Sequence, residues 1–338
     1  IISLVTAAVL LVTSMPLADI SGVVSKMVST VTNAITAMAA DTYTDITNDI
    51  KNGVFTIQNA DDFKKLLNAD PSVYQKITVL FSNNQSQFKA SDFTGIEKGL
   101  GNENYPFMGT VKANEGSAIN LPINFALFEY LSDSANLDTI IFARPEEKNS
   151  ALLAENVIHG DVASANKWKI KADPVDDSGA TIYKSFTSVI GNMKNGAMVD
   201  LDITLSNGVQ VEVSGGDNAG LACGTMGENT SLAVSLSSNL LDISGKSNAG
   251  VFVGKMSTDA TLNIDKCDTL TGVNISANNA GGLVGSAENA EINVGEGVTI
   301  TMTGSVTGSV TAGGLFGSYT YSKANEKTYD ISIFSGMK

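Results

Sequence analysis

The sequence predicts a mainly β protein, a right-handed parallel β-helix of coils about 31 residues long, with a short N-terminal α-helical cap. Two observations carry that prediction. A short phrase returns four times at nearly constant spacing, as Asn218-Ala219-Gly220-Leu221-Ala222-Cys223-Gly224, Asn248-Ala249-Gly250-Val251-Phe252-Val253-Gly254, Asn279-Ala280-Gly281-Gly282-Leu283-Val284-Gly285 and Thr311-Ala312-Gly313-Gly314-Leu315-Phe316-Gly317. Its final glycines lie 30, 31 and 32 residues apart. Between the phrases, the chain alternates apolar and polar residues with period two, the signature of half-buried strands.

The repeat extends upstream. Ser188-Val189-Ile190-Gly191 precedes Gly224 by 33 residues, and Ala126-Leu127-Phe128-Glu129 and Leu152-Leu153-Ala154-Glu155 keep the apolar pair with glutamate in place of glycine. Seven coils are therefore expected, the first two degenerate. The strands are read at Val199–Leu205, Leu232–Leu236 and Leu262–Asp265, with a further one at Val298–Met302. Three short strands and three bends per repeat would set each strand about 4.8 Å from its equivalent in the next coil. A β-sandwich of unrelated strands is the competing fold, but it does not call for a repeated glycine phrase.

Glycine suits a tight corner because it accepts positive φ and leaves room where another backbone passes close. Asn218, Asn248 and Asn279 are read as left-handed corners or turn hydrogen-bonders, structural rather than catalytic.

Gly282-Leu283-Val284-Gly285 and Gly314-Leu315-Phe316-Gly317 resemble the Gly-Leu-uncharged-Gly (GLUG) motif of bacterial cell-surface proteins, and the coils at Gly224 and Gly254 match it loosely. Tyr105-Pro106-Phe107-Met108-Gly109-Thr110-Val111 is similar to a Pro-Phe-x-Gly-Thr segment that precedes such coils in secreted right-handed β-helices. The resemblance covers about residues 45 to 338. It implies surface attachment and adhesion within a long modular protein, and brings no catalytic residues.

The N-terminal residues point to export. Ile1–Thr13 is an apolar run, and Ala37-Met38-Ala39 offers small residues where a signal peptidase acts, so 1–39 is read as a signal peptide with the mature chain starting near Ala40. The run is shorter than the roughly 20 residues a membrane-spanning helix requires. A retained helix docking on the domain is the competing reading.

Residues 40–110 are read as a cap. Asn59 would cap a helix presenting Phe63, Leu66 and Leu67 on one face, and a strand follows at Ile77–Phe81. A polar cap protects the strand edges of a solenoid end. Residues 111–338 would form the coils. No such cap is seen after Gly317, where Tyr329–Phe334 reads as a strand, so the sequence is expected to be the N-terminal portion of a longer protein.

The net charge is −14, and the sequence pI is near 4.4. With no Lys/Arg cluster, this argues against a nucleic-acid or acidic-membrane partner; membrane association would come only through the signal peptide or an anchor outside the sequence. Two cysteines are too few for a disulfide scaffold. Cys223 occupies the apolar place of Val253, Val284 and Phe316, which predicts a buried thiol; a bridge to Cys267 is the alternative.

The expectation is a non-enzymatic surface module with no catalytic residue, metal or cofactor. It would bind a host protein or glycoprotein, a mucin or an immunoglobulin among the candidates, through a solenoid face or an irregular insertion at about 143–185. That insertion breaks the period and holds Arg144, Trp168 and Tyr183, residue types that anchor partners; for Trp168, packing against the coil is the alternative. Two other classes stay open: a polysaccharide-active β-helix enzyme and a structural spacer. For the enzyme, Asp200 and Asp202 share a strand face, with Ser235 and Asp265 expected to stack beside Asp202, although outward acids ordinarily form a solvated face. His159 is read as a turn or rim residue. The acidic loop of Asp173, Asp176 and Asp177 lacks the ligand spacing of a known calcium loop.

Overall fold

In the computed structural model, the described residues are 43–82, 88–114, 117–143, 150–160, 165–172, 186–205, 211–214, 216–237, 240–321 and 331–333. The chain divides into two units, Ile1–Thr44 and Asp45–Lys338. The expected signal peptide, residues 1–39, lies outside the described residues. All that follows concerns the second unit.

That unit is a parallel β-solenoid of seven turns. Sheet I contains seven strands, running from Phe128–Ser132 through Ala154–Ile158, Ile190–Met193, Cys223–Met226, Val253–Met256 and Val284–Glu288 to Phe316–Thr320. The register joins Phe128, Ala154, Ile190, Cys223, Val253, Val284 and Phe316 in one column. These are the equivalent positions of the seven sequence phrases, so the two degenerate coils are full members of the stack.

Sheet II carries the alternating strands, among them Lys167–Ala172, Met198–Leu205, Ser231–Ser237, Thr261–Cys267 and Glu291–Val294. Its inward residues align coil on coil, with Trp168, Leu201, Val234, Ile264 and Val294 in one buried column. Each such aliphatic side chain contributes about 1.5–3 kcal/mol through burial. Sheet III is formed by Val211–Ser214, Asn218–Gly220, Leu241–Ser244, Asn248–Gly250, Leu270–Gly281 and Met302–Gly313. Its last strand begins at Met302; Val298–Thr301, expected to be extended, precede it outside any strand, after a turn that includes Gly297 at φ +75°.

The left-handed corners differ from those expected. Gly196, Asn229, Asp259 and Asn289 have positive φ (81°, 55°, 59° and 43°) and turn the chain from sheet I into sheet II. Asn218, Asn248 and Asn279 instead lie within strands of sheet III, where their amides join across coils. Asn248 Nδ2 donates to Asn218 Oδ1 (2.6 Å), Asn279 Nδ2 to Asn248 Oδ1 (2.9 Å) and Thr311 Oγ1 to Asn279 Oδ1 (2.8 Å). Asn293 Nδ2 and Asn263 Oδ1 repeat the arrangement on sheet II, at 3.0 Å.

Glycine closes the column because backbone passes there. A Cβ on Gly254 would sit 2.7 Å from Ala219 N and from Asn218 C of the preceding coil. No real Cβ tolerates that approach, and φ plays no part. Glu155, in the same column, accepts from Ala151 N at 2.9 Å; among the described residues the crossing Asn-Ala-Gly strand first occurs at Asn218, although a Cβ on Gly191 would already lie 2.7 Å from Glu155 O.

At the other end, Val54–Ile57, Thr78–Phe81, Thr110–Ala113 and Asn136–Leu137 form a parallel four-stranded sheet that crosses the expected cap boundary near residue 110 without a break. The helix forms as expected: α1 spans Ala60–Leu67, with Asn59 Oδ1 accepting from Asp61 N (2.9 Å) and Asp62 N (3.1 Å). It buries Phe63 and Leu66, and Phe63 packs edge-on against Phe81 and Phe93 at 5.6 and 5.5 Å. In the Pro-Phe-x-Gly-Thr segment, Phe107 is buried against Phe128 at 5.2 Å.

Candidate functional site

Of the three expected partner anchors, only Trp168 falls within the described residues. It is wholly buried, and its Nε1 donates to Ala135 O at 3.0 Å, so it packs in the coil and offers no surface to a partner. The physical reason is register: Trp168 stands beside Leu201 on the inward side of sheet II, one large side chain in an aliphatic column. Arg144 and Tyr183 lie outside the described residues, as do Asp173, Asp176 and Asp177. Among the described residues, the span 143–185 supplies the strands Ala154–Ile158 and Lys167–Ala172.

The acidic strand is built differently from the sequence expectation. Asp200 faces Lys167 and Ala233 across its two neighbours, and Asp202 faces Lys169 and Ser235. A register shift between Val234 and Ser235 then sets Lys266 opposite Ser235, so Asp265 does not stack in the Asp202 row. Lys167 Nζ lies 3.7 Å from Asp200 Oδ1, an ion pair too long for a hydrogen bond, and that oxygen is buried without a hydrogen-bond partner. Burial raises the Asp200 carboxyl above its usual range; Lys167 opposes the shift, while Asp265 and Asp202 add to it. Asp202 stands two residues along the same strand, on the same face. The cross-strand Asp/Lys pairing is equally what a sheet face uses to settle its charges.

One polar constellation was missed by the sequence reading. Asp133 is buried and gathers donors from the next two coils: Gly160 N at 2.6 Å, Met198 N at 2.9 Å and His159 Nδ1 at 3.0 Å. The two serines beside it bond to each other, Ser132 Oγ to Ser134 Oγ at 2.7 Å. His159 is thus a rim residue, its side chain 41% exposed, with Nδ1 held by a buried carboxylate. Among the described residues no hydrogen bond joins either serine to the imidazole, so the group reads as a clasp between coils. A signal existed in the sequence: Ser132-Asp133-Ser134 is a polar triplet following directly on the apolar phrase of a repeat.

Both cysteines are free. Cys223 is buried as expected, its Sγ 3.2 Å from Thr225 O, and burial pushes its thiol up to about 12. Burial, followed by the charge of Asp268, pushes Cys267 up to about 12 as well. Neither is an activated nucleophile in this state. Among the described residues, no cluster of three His, Cys, Asp or Glu is arranged to hold a metal ion, and no helix is long and apolar enough to cross a membrane.

Comparison of the chain with protein-family models, with curated proteins and with solved structures finds no match.

Proposed function

We propose that the chain is a secreted or cell-surface module of a bacterium, an adhesin or host-interaction protein that binds a host protein or glycoprotein through a face of its solenoid. The observation that supports this reading is the placement of the repeated phrase. Gly-Leu-Val-Gly and Gly-Leu-Phe-Gly, the segments that resemble the GLUG motif of bacterial surface proteins, occupy equivalent positions in adjacent coils of sheet I. Stacked coils give a rigid, extended surface suited to contact over a large area. Sheet III adds rows of polar residues, such as Ser244, Ser276 and Thr307, able to donate and accept hydrogen bonds towards a protein or glycan. The residues 143–185 that carry Arg144 and Tyr183 remain the second candidate surface.

The test is direct binding. Immobilised residues 40–338 are titrated with purified mucin and with immunoglobulin, and saturable binding of either one is expected. Binding of neither would turn the reading towards a spacer.

A second reading, a polysaccharide-active enzyme, is favoured by one observation: the raised carboxyl of Asp200 beside Asp202. It predicts release of reducing ends from an acidic polysaccharide, lost in Asp200→Ala. No release from a panel of such polymers would remove it.

A further inference from the structure

The strand Lys167–Ala172 lies inside sheet II, with Ile140–Phe142 on one side and Met198–Leu205 on the other. Its alternation turns Trp168 and Ile170 into the core and leaves Lys167, Lys169 and Lys171 exposed on the outward face. The sequence holds no unbroken basic run here, yet the strand sets three lysines in single file, their Cα atoms about 6.6 Å apart. They stand together in a chain of net charge −14.

Charge balance within the protein accounts for the first of them alone. Lys167 Nζ lies 3.7 Å from Asp200 Oδ1. Lys169 has Asp202 as its register partner, and Lys171 stands between Thr204 and Ile141. Among the described residues, neither ammonium has a carboxylate within ion-pair distance. Neighbouring lysines in the row repel one another, because their spacing is shorter than the Debye length of about 8 Å at physiological ionic strength. An anion laid along the row relieves that repulsion.

The strands beside the row indicate which anion. Lys169 is continued across the sheet by Asp202 and Ser235, and Lys171 by Thr204 and Ser237, all able to hydrogen-bond to hydroxyl groups. A ligand that meets both features carries negative charge on one edge and hydroxyls on the other, which is the make-up of an acidic sugar. A nucleic-acid strand fits less well, since its bases call for aromatic platforms and Trp168 is turned inward. A densely sulfated polymer would press its charges against Asp200 and Asp202, one strand away at about 4.8 Å.

We propose that Lys169 and Lys171, extended by Lys167, bind a glycan whose sugars carry carboxylates. The carboxylates lie on the lysines, and the sugar hydroxyls reach Asp202, Thr204 and Ser235. The proposal rests on the reading of the protein as a binder of host glycoproteins and specifies it: the face is the outward side of sheet II, and the recognised sugar is acidic.

The experiment titrates the 338-residue chain into fluorescently labelled polysialic acid, each sugar of which carries a carboxylate, and follows anisotropy. Saturable binding is expected, weakening as salt screens the charges, with none to neutral dextran. Lys169→Gln with Lys171→Gln should weaken it about tenfold or more, with circular dichroism and thermal midpoint unchanged. Lys169→Arg with Lys171→Arg should retain it. Absence of binding to polysialic acid, or indifference to the glutamine pair, would overturn the proposal. Tighter binding of dextran sulfate or of oligo-dT, lost in the glutamine variant, would overturn it in favour of an unselective polyanion patch. Mucin, titrated before and after enzymatic removal of its sialic acids, separates this proposal from the adhesin reading. Mucin binding that survives both that treatment and the glutamine pair overturns the proposal and leaves the adhesin reading standing. Binding of polysialic acid without binding of mucin supports the site and counts against mucin as the partner.

Discussion

The coils before Asn218 and those after it share one register and differ in what joins them. In the early coils, large side chains and a buried acid make the connections: Trp168 reaches Ala135 O, and Asp133 draws together Gly160, His159 and Met198. Bare glycines lie against neighbouring backbone in both regions, Gly191 against Glu155 O among the early ones, but in the late coils they recur coil after coil beside the Asn-Ala-Gly strand, and asparagine amides link one coil to the next. The difference shows that coil-to-coil adhesion has two solutions. Side chains that span the gap tolerate an irregular sequence, glutamate in the glycine column included. Direct backbone contact requires the repeat to be kept, because one Cβ in the wrong place pushes two coils apart.

The strongest way to break the comparison is Gly254→Val set against Glu155→Gly. The valine places a Cβ 2.7 Å from Ala219 N and Gly224 O. It should cost about 3 kcal/mol or more, with loss of exchange protection centred on the coils at Gly224 and Gly254. Glu155→Gly, at the same position in an early coil, should cost only about 1 kcal/mol, from added backbone freedom and the lost bond to Ala151 N. Equal losses in urea denaturation would show that the two regions do not differ.

Next in size is Asp133→Ala, which leaves the partly buried N–H groups of Gly160 and Met198 without their acceptor. A loss of about 2–4 kcal/mol is expected, localised by hydrogen exchange to the early coils. Asn248→Ala is the late-coil counterpart. It leaves Asn218 Oδ1 and Asn279 Nδ2 without each other's bridge and should cost about 1–2 kcal/mol, read from the urea midpoint.

The smallest effect is a gain. The Asp200 carboxyl is raised by burial, so the folded protein holds a proton there more tightly than the unfolded chain does. The contribution of this group is most favourable below its unfolded value of 3.8, and it falls as pH rises through the raised folded value. Asp200→Asn should therefore raise the thermal midpoint slightly at pH 7, with the advantage vanishing at about pH 3. An equal gain at both pH values would assign the effect to something other than ionisation.

The stack was legible in the sequence because its period is written in residues that cannot be exchanged. The glycine column marked five of the turns and the apolar pair before Glu129 and Glu155 marked the other two, and the period-two runs at Val199–Leu205 and Leu232–Leu236 fell on sheet II as read. The corners were misassigned because asparagine serves two purposes. At Asn229 it turns the chain at positive φ, while at Asn248 it pairs sideways from an extended strand, and only the neighbouring coil distinguishes the two. Trp168 shows the same limit at the candidate site: an unusual aromatic in an irregular stretch looks like an anchor until register sets it beside Leu201. The Asp133 clasp was missed because only the Ser132-Asp133-Ser134 triplet marks it locally, while its farthest donor, Met198 N, lies 65 residues along the chain.

The amide row carries a further consequence. Each donor in Asn248, Asn279 and Thr311 points to the acceptor one coil earlier, so every internal junction presents the same donor below and the same acceptor above. Excising Gly224–Val253 would join Cys223 to Gly254 and bring Asn279 onto Asn218, with the row intact and one coil shorter. Losing part of a coil would leave an acceptor facing the wrong residue all the way to the end. The row can therefore gain or lose members only in whole coils, as a wall changes height by whole courses of brick, while the bends between its members absorb the difference between coils of 30, 31 and 32 residues.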